Sequence, residues 1–155
     1  MRVPLSASLV VFLTAASIAA ADAVELDSVS VHLFLEDSGT FSRDISTVEN
    51  FASWNWSSDE GKADAILIKI RFRSDGAALA LGTQARVVVT TRKMQTSWSA
   101  GKVIINERLK DISVGPSGTT YRAIFVPGIG CKPLKITVTG SGKTITSSLY
   151  FACGE

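Results

Sequence analysis

The sequence predicts an all-β domain: an antiparallel β-sandwich of about seven or eight strands, immunoglobulin-like in broad architecture. Three observations predict it. Apolar and polar residues alternate in short runs, most clearly between Ala65 and Arg73. Clusters of Gly, Pro, Ser and Asp interrupt those runs at short spacing. Helical spacing is confined to one stretch near residue 50. A small closed β-barrel fits the same pattern and stands as the alternative architecture.

The chain opens with a segment of another kind. After Arg2 no charged side chain occurs until Asp22, and Leu9 to Leu13 form an apolar centre followed by mostly small residues up to Ala23. Ala19-Ala20-Ala21 and Ala21-Asp22-Ala23 both fit the small-x-small cleavage pattern, so residues 1–23 read as a signal peptide and 24–155 as one β-sandwich domain. The apolar stretch is shorter and richer in alanine than a membrane span of about 20 residues requires. No later segment is long and apolar enough either. The expected location is therefore outside the cytoplasm, in a periplasm or the extracellular space.

The first strand follows, with Val29, Val31 and Leu33 on one face, Ser30, His32 and Phe34 on the other, and an end near Glu36. Asp37-Ser38-Gly39 is a turn. Ser46-Thr47-Val48-Glu49 matches a capping box, and Val48, Phe51 and Ala52 at helical spacing predict one or two helical turns. In the strand from Ala65 to Arg73, Ile66, Ile68, Ile70 and Phe72 share one face, while Leu67, Lys69, Arg71 and Arg73 share the other. Ser74-Asp75-Gly76 ends it. Further strands are expected over Arg86–Thr91, over Lys102–Val114 with a break near Asn106 or Asp111, and over Thr119–Val126 after the Gly115-Pro116-Ser117-Gly118 turn. A terminal hairpin pairs Leu134–Thr139 with Thr144–Phe151 across Gly140-Ser141-Gly142-Lys143. Opposing Leu134 with Leu149 and Val138 with Ile145 puts the apolar residues of both strands on one face.

That register brings Cys153 opposite Gly130, one place from Cys131. An exported chain with two cysteines and no C-x-x-C pair is expected to join them in a structural disulfide. Closing a loop of roughly 20 residues contributes about 3 kcal/mol on the chain-entropy account.

Candidate chemistry is sparse. Gly140-Ser141-Gly142-Lys143-Thr144 has the end of a phosphate loop, but Thr137 stands where glycine is required and a strand follows instead of a helix. His32 is the lone histidine and has no nucleophile-elbow signature beside it, so it reads as structural. With one histidine and two cysteines expected to bond each other, no metal site is predicted. Asp59, Glu60 and Asp64 lack the spacing of a calcium loop. No cofactor is expected, and no catalytic residue is assigned.

Two features point to binding. Trp54 and Trp56 flank Asn55, so an extended backbone aims both indoles to one side, either as a platform for a sugar or protein or as core packing. Lys69, Arg71 and Arg73 form an outward basic row, either a site for anionic polymers or a solvated face; Arg86, Arg92 or Arg122 on neighbouring strands would enlarge it. The formal net charge of +2 is unchanged by removing residues 1–23, which takes one base and one acid. So small a charge argues against nucleic acid as the partner. The sequence therefore favours a secreted or periplasmic, non-enzymatic domain binding a protein or glycan partner. A self-assembling structural component of the envelope is the alternative, and a hydrolase comes third.

Overall fold

Among the described residues eight strands form: β1 (Glu25–Leu35), β2 (Thr40–Phe41), β3 (Ala63–Arg73), β4 (Ala85–Thr91), β5 (Val103–Leu109), β6 (Thr119–Pro127), β7 (Leu134–Gly140) and β8 (Lys143–Leu149). The structure is a computed structural model and describes residues 24–47, 63–75, 83–91, 101–130 and 133–151. The leader segment, the helical turns expected around Val48, Phe51 and Ala52, and Trp54, Trp56, Asp59, Glu60, Arg92, Cys131 and Cys153 lie outside those residues.

The strands make two four-stranded antiparallel sheets, ordered β2-β1-β3-β6 and β5-β4-β7-β8. They form a sandwich, as expected, because among the described residues no strand is shared between the sheets to close them into a barrel. Placing β1-β3-β6 against β4-β7-β8 reproduces the A-B-E and C-F-G strand order of an immunoglobulin-type sandwich, with β5 beyond β4 where variable-type domains add C′. Among the described residues there is no helix.

The alternation in β3 explains why it lies inside its sheet. Ile66, Ile68, Ile70 and Phe72 are fully buried, and Lys69, Arg71 and Arg73 between them are exposed. Val31, Leu33, Ile124 and Val126 join the isoleucines from β1 and β6, and Val87, Val89, Ile136, Val138 and Leu149 meet them from the second sheet in one core cluster. β1 begins four residues before the expected alternation because of an irregularity. Its pairing with β3 shifts between Leu26 and Ser28, which leaves Asp27 as the extra residue. That bulge resets the two-residue period, so Leu26 and Val31 both point inward although five positions apart.

The terminal hairpin has the expected register, with Leu134 opposite Leu149 and Val138 opposite Ile145. Ser141 and Gly142 both take positive φ, 50° and 72°, the two-residue turn whose twist matches the flanking strands. The strand expected over Lys102–Val114 stops at Leu109, and Asp111, at φ 52°, turns the chain back towards the first sheet. Ile112 and Val114 are buried on that crossing, which is why their apolar character prolonged the strand pattern.

A short stretch after β2 seals one edge of the first sheet. Ser42 N–H donates to Leu33 O (2.9 Å) and Ile45 N–H to Val31 O (2.7 Å). In return Leu33 N–H donates to Ser42 Oγ and Val31 N–H to Asp44 Oδ1, each at 2.9 Å. Two side chains thus stand in for ladder carbonyls and satisfy β1 without a full strand.

Candidate functional site

The outer face of the β2-β1-β3-β6 sheet gathers the described residues best suited to recognition. The register lines up His32, Leu67 and Phe125 across β1, β3 and β6, then Ser30, Lys69 and Ala123, then Ser28, Arg71 and Tyr121. Phe34 faces Phe41 at the β2 end. The face therefore has an aromatic end and a basic end.

At the aromatic end the Phe34 ring stands 5.5 Å from Phe41, tilted by 57°, and 5.9 Å from Phe125, nearly edge-on at 80°. Phe41 and Phe125 remain 47% and 48% exposed, and Tyr121, further along β6, 49%. Each mutual contact is worth about 0.5–1.5 kcal/mol beyond area burial. Half of each outer ring still faces water, which leaves apolar surface for a partner to cover. The sequence reading missed these aromatics. On β6, Tyr121 and Phe125 alternate with Ile124 and Val126, so both faces look apolar and alternation alone does not say which is inward.

At the basic end the three predicted residues do lie together, but they are partnered. Arg71 donates to the Asp27 carboxylate, and Arg73 reaches Glu25 at 3.3 Å and Asp27 at 3.8 Å. Asp27 is within reach because the bulge leaves it unpaired on β1. Its hydrogen bond, with a second contribution from Tyr121, raises the Arg71 guanidinium above its ordinary pKa. The Lys69 ammonium sits 5.0 Å from the Tyr121 ring centre, a cation–π contact. Two acids thus offset much of the row. Nor do the other arginines enlarge it. Arg122 pairs with Ile70 on the inner face, where its guanidinium donates to the Tyr121 and Asp111 carbonyls, and Arg86 lies on the second sheet beside Asn106.

His32 belongs to the same face and acts as a clamp. Its Nδ1 lies 2.8 Å from Ser42 O, which only accepts, so Nδ1 carries the proton. In the neutral ring Nε2 then accepts from Ser30 Oγ at 3.1 Å. Ser30 and His32 meet because residues two apart on a strand share a face. The pair has nucleophile-and-base spacing, yet it lies on an open sheet surface, and the neighbouring Val31 and Leu33 N–H groups are already taken by Asp44 Oδ1 and Ser42 Oγ. It holds β1 to the 42–45 segment. Asp44 completes the clamp. Partial burial works to raise its carboxyl, but hydrogen bonds from the Ser46 and Val31 N–H groups and the His32 charge hold it below the ordinary value of 3.8.

An open cleft of about 220 Å³ lies where the start of β1 meets the β7–β8 turn. Glu25, Asp27, Arg73 and Lys143 line it with balanced charge. Lys143 Nζ donates to Asp27 O (3.0 Å) and Ser141 Oγ to Val24 O (2.6 Å), so its polar groups tie the two sheets together. Among the described residues no group of three His, Cys, Asp or Glu is placed to hold a metal ion. No helix among them is long and apolar enough to cross a membrane.

No protein-family model matches the chain, and no curated protein matches it.

Proposed function

We propose that the chain is an exported, non-enzymatic β-sandwich domain that binds a partner protein through the outer face of the β2-β1-β3-β6 sheet. The observation that carries this reading is the aromatic group Phe34, Phe41 and Phe125, the last two half exposed, on the same face as Lys69 and Tyr121. Aromatic residues ringed by polar ones are what the centres of protein interfaces are made of. Ring orientation favours protein over glycan. Sugar stacking uses a flat exposed ring face, whereas rings crossed at 57° and 80° present edges and wells that fit aliphatic and aromatic side chains. The paired arginines favour it as well, because a site for anionic polymers needs uncompensated charge. Trp54 and Trp56 remain candidates for a contribution from the same domain, and export rests on the 1–23 leader.

A photoactivatable phenylalanine analogue at position 125, with the same analogue at Thr146 on β8 as control, tests the proposal in the exporting host. One protein other than this chain, captured from position 125 and not from 146, is the expected result, and capture of a second copy alone does not count towards it. The captured protein's affinity for the purified domain should then fall at least about tenfold in Phe41→Ala and Phe125→Ala variants that stay folded. Equal capture from both positions, or unchanged affinity in both variants, would refute it.

A further inference from the structure

The outer edge of the same sheet carries a self-complementary strand. β6 is nine residues long and terminates the sheet, and among the described residues no strand pairs with its far side. Which of its backbone groups face outward follows from hydrogen bonding. Ser74 N–H donates to Gly118 O (3.1 Å) in the continuation of the β3–β6 register, so even-numbered residues turn their backbone groups to β3. Odd-numbered residues turn theirs to the free edge. Pro127 agrees with this, since proline within a sheet keeps its missing N–H on the open side.

The two ends of that edge differ. Thr119 O accepts from Ser117 Oγ (3.1 Å), and Tyr121 O accepts from the Arg122 guanidinium (3.3 Å, exposed). No such bond reaches Ala123 or Phe125 among the described residues. The other edges are better guarded: the β2–β1 side by the two-residue length of β2 and by the 42–45 segment, β5 by exposed Asn106, Glu107 and Arg108, and β8 by Lys143 and a run of threonines and serines.

We propose that two copies of the chain pair β6 with β6 across a two-fold axis at Ala123, which joins their first sheets into one. The residues that face outward in both senses, Tyr121, Ala123 and Phe125, read the same in either direction as aromatic, small, aromatic. Antiparallel pairing about Ala123 sets Tyr121 opposite Phe125 of the second copy, a favourable aromatic cross-strand pair on the outer face. On the inner face it sets Arg122 opposite Ile124 and Thr120 opposite Val126, with no like charges opposed. The pairing forms roughly six ladder hydrogen bonds, with the weak Arg122 contact to Tyr121 O displaced. It extends the aromatic band of the outer face across the axis and leaves that face open, so it does not rest on the partner reading above.

In a hydrogen-bonded antiparallel pair the facing Cα atoms are about 5.5 Å apart. That lies within the roughly 4.4–6.8 Å a disulfide spans. Ala123→Cys should therefore form a covalent dimer under mild oxidation, whereas wild type and a Thr146→Cys control on exposed β8 should not. Sedimentation of the purified domain should show a concentration-dependent dimer, and Ala123→Pro should weaken it at least about tenfold. Circular dichroism establishes that each variant is folded. A monomer at every concentration up to about millimolar, or cross-linking no faster at 123 than at 146, would overturn the proposal. A dimer indifferent to Ala123→Pro would also overturn it, by placing the interface elsewhere.

Discussion

Replacing Asp44 by alanine probes the clamp that closes β1. The substitution removes the acceptor for Val31 N–H, in a residue with no exposure, and for the more exposed Ser46 N–H. Leaving a buried donor without a partner costs about 1–3 kcal/mol, and the exposed bond adds little because water replaces it. We expect about 2 kcal/mol in total. With a urea slope of about 1–3 kcal/mol/M for a domain this size, the midpoint should fall by roughly 0.7–2 M with the slope unchanged. Asp44→Asn keeps an oxygen in place but loses the charge, and should cost about half as much. The pH dependence gives a second reading. The folded carboxyl titrates below the unfolded one, so its stabilisation is complete above the ordinary value of 3.8 and disappears as pH falls through the lower, folded value. The gap between wild type and Asp44→Asn should therefore be open at pH 7 and close in acid below about pH 4. A loss under about 0.5 kcal/mol for the alanine variant, or a gap that persists unchanged into acid, would refute the clamp.

Phe72→Ala should destabilise the domain by about 3–5 kcal/mol in the same assay, because a fully buried ring in the central strand leaves a cavity. Asp27→Asn removes one of the two acids that hold Arg71 and Arg73, so the variant should elute from a sulfated-polysaccharide column at higher salt than wild type; an identical profile would mean that Asp27 does not mask the row. Protein recovered from outside the cytoplasm of the producing cell should begin at Asp22 or Val24 by N-terminal sequencing, whereas a retained Met1 would remove the basis for export.

Much of the sandwich is legible in single strands. The two-residue period of Ile66 to Phe72 identifies an inward and an outward face of β3, because alternation is a local consequence of backbone pleat. The register of the last hairpin is equally local, since a two-residue turn and two alternating strands leave one arrangement that buries Leu134, Val138 and Leu149 together. The basic row Lys69, Arg71 and Arg73 follows from the same alternation. Its charge balance does not, because Glu25 and Asp27 lie more than forty residues away and only the β1–β3 register and the bulge at Asp27 bring them to it. The aromatic end is likewise a product of assembly: Phe34, Phe41 and Phe125 come from three strands, two of them adjacent in sequence and the third separated by two crossings between sheets. Local sequence determined which residues form strands and, where one face is polar, which way they point. Tertiary structure decided which strands lie side by side, and with that which charges are neutralised, which rings stay in water and which edge is left open.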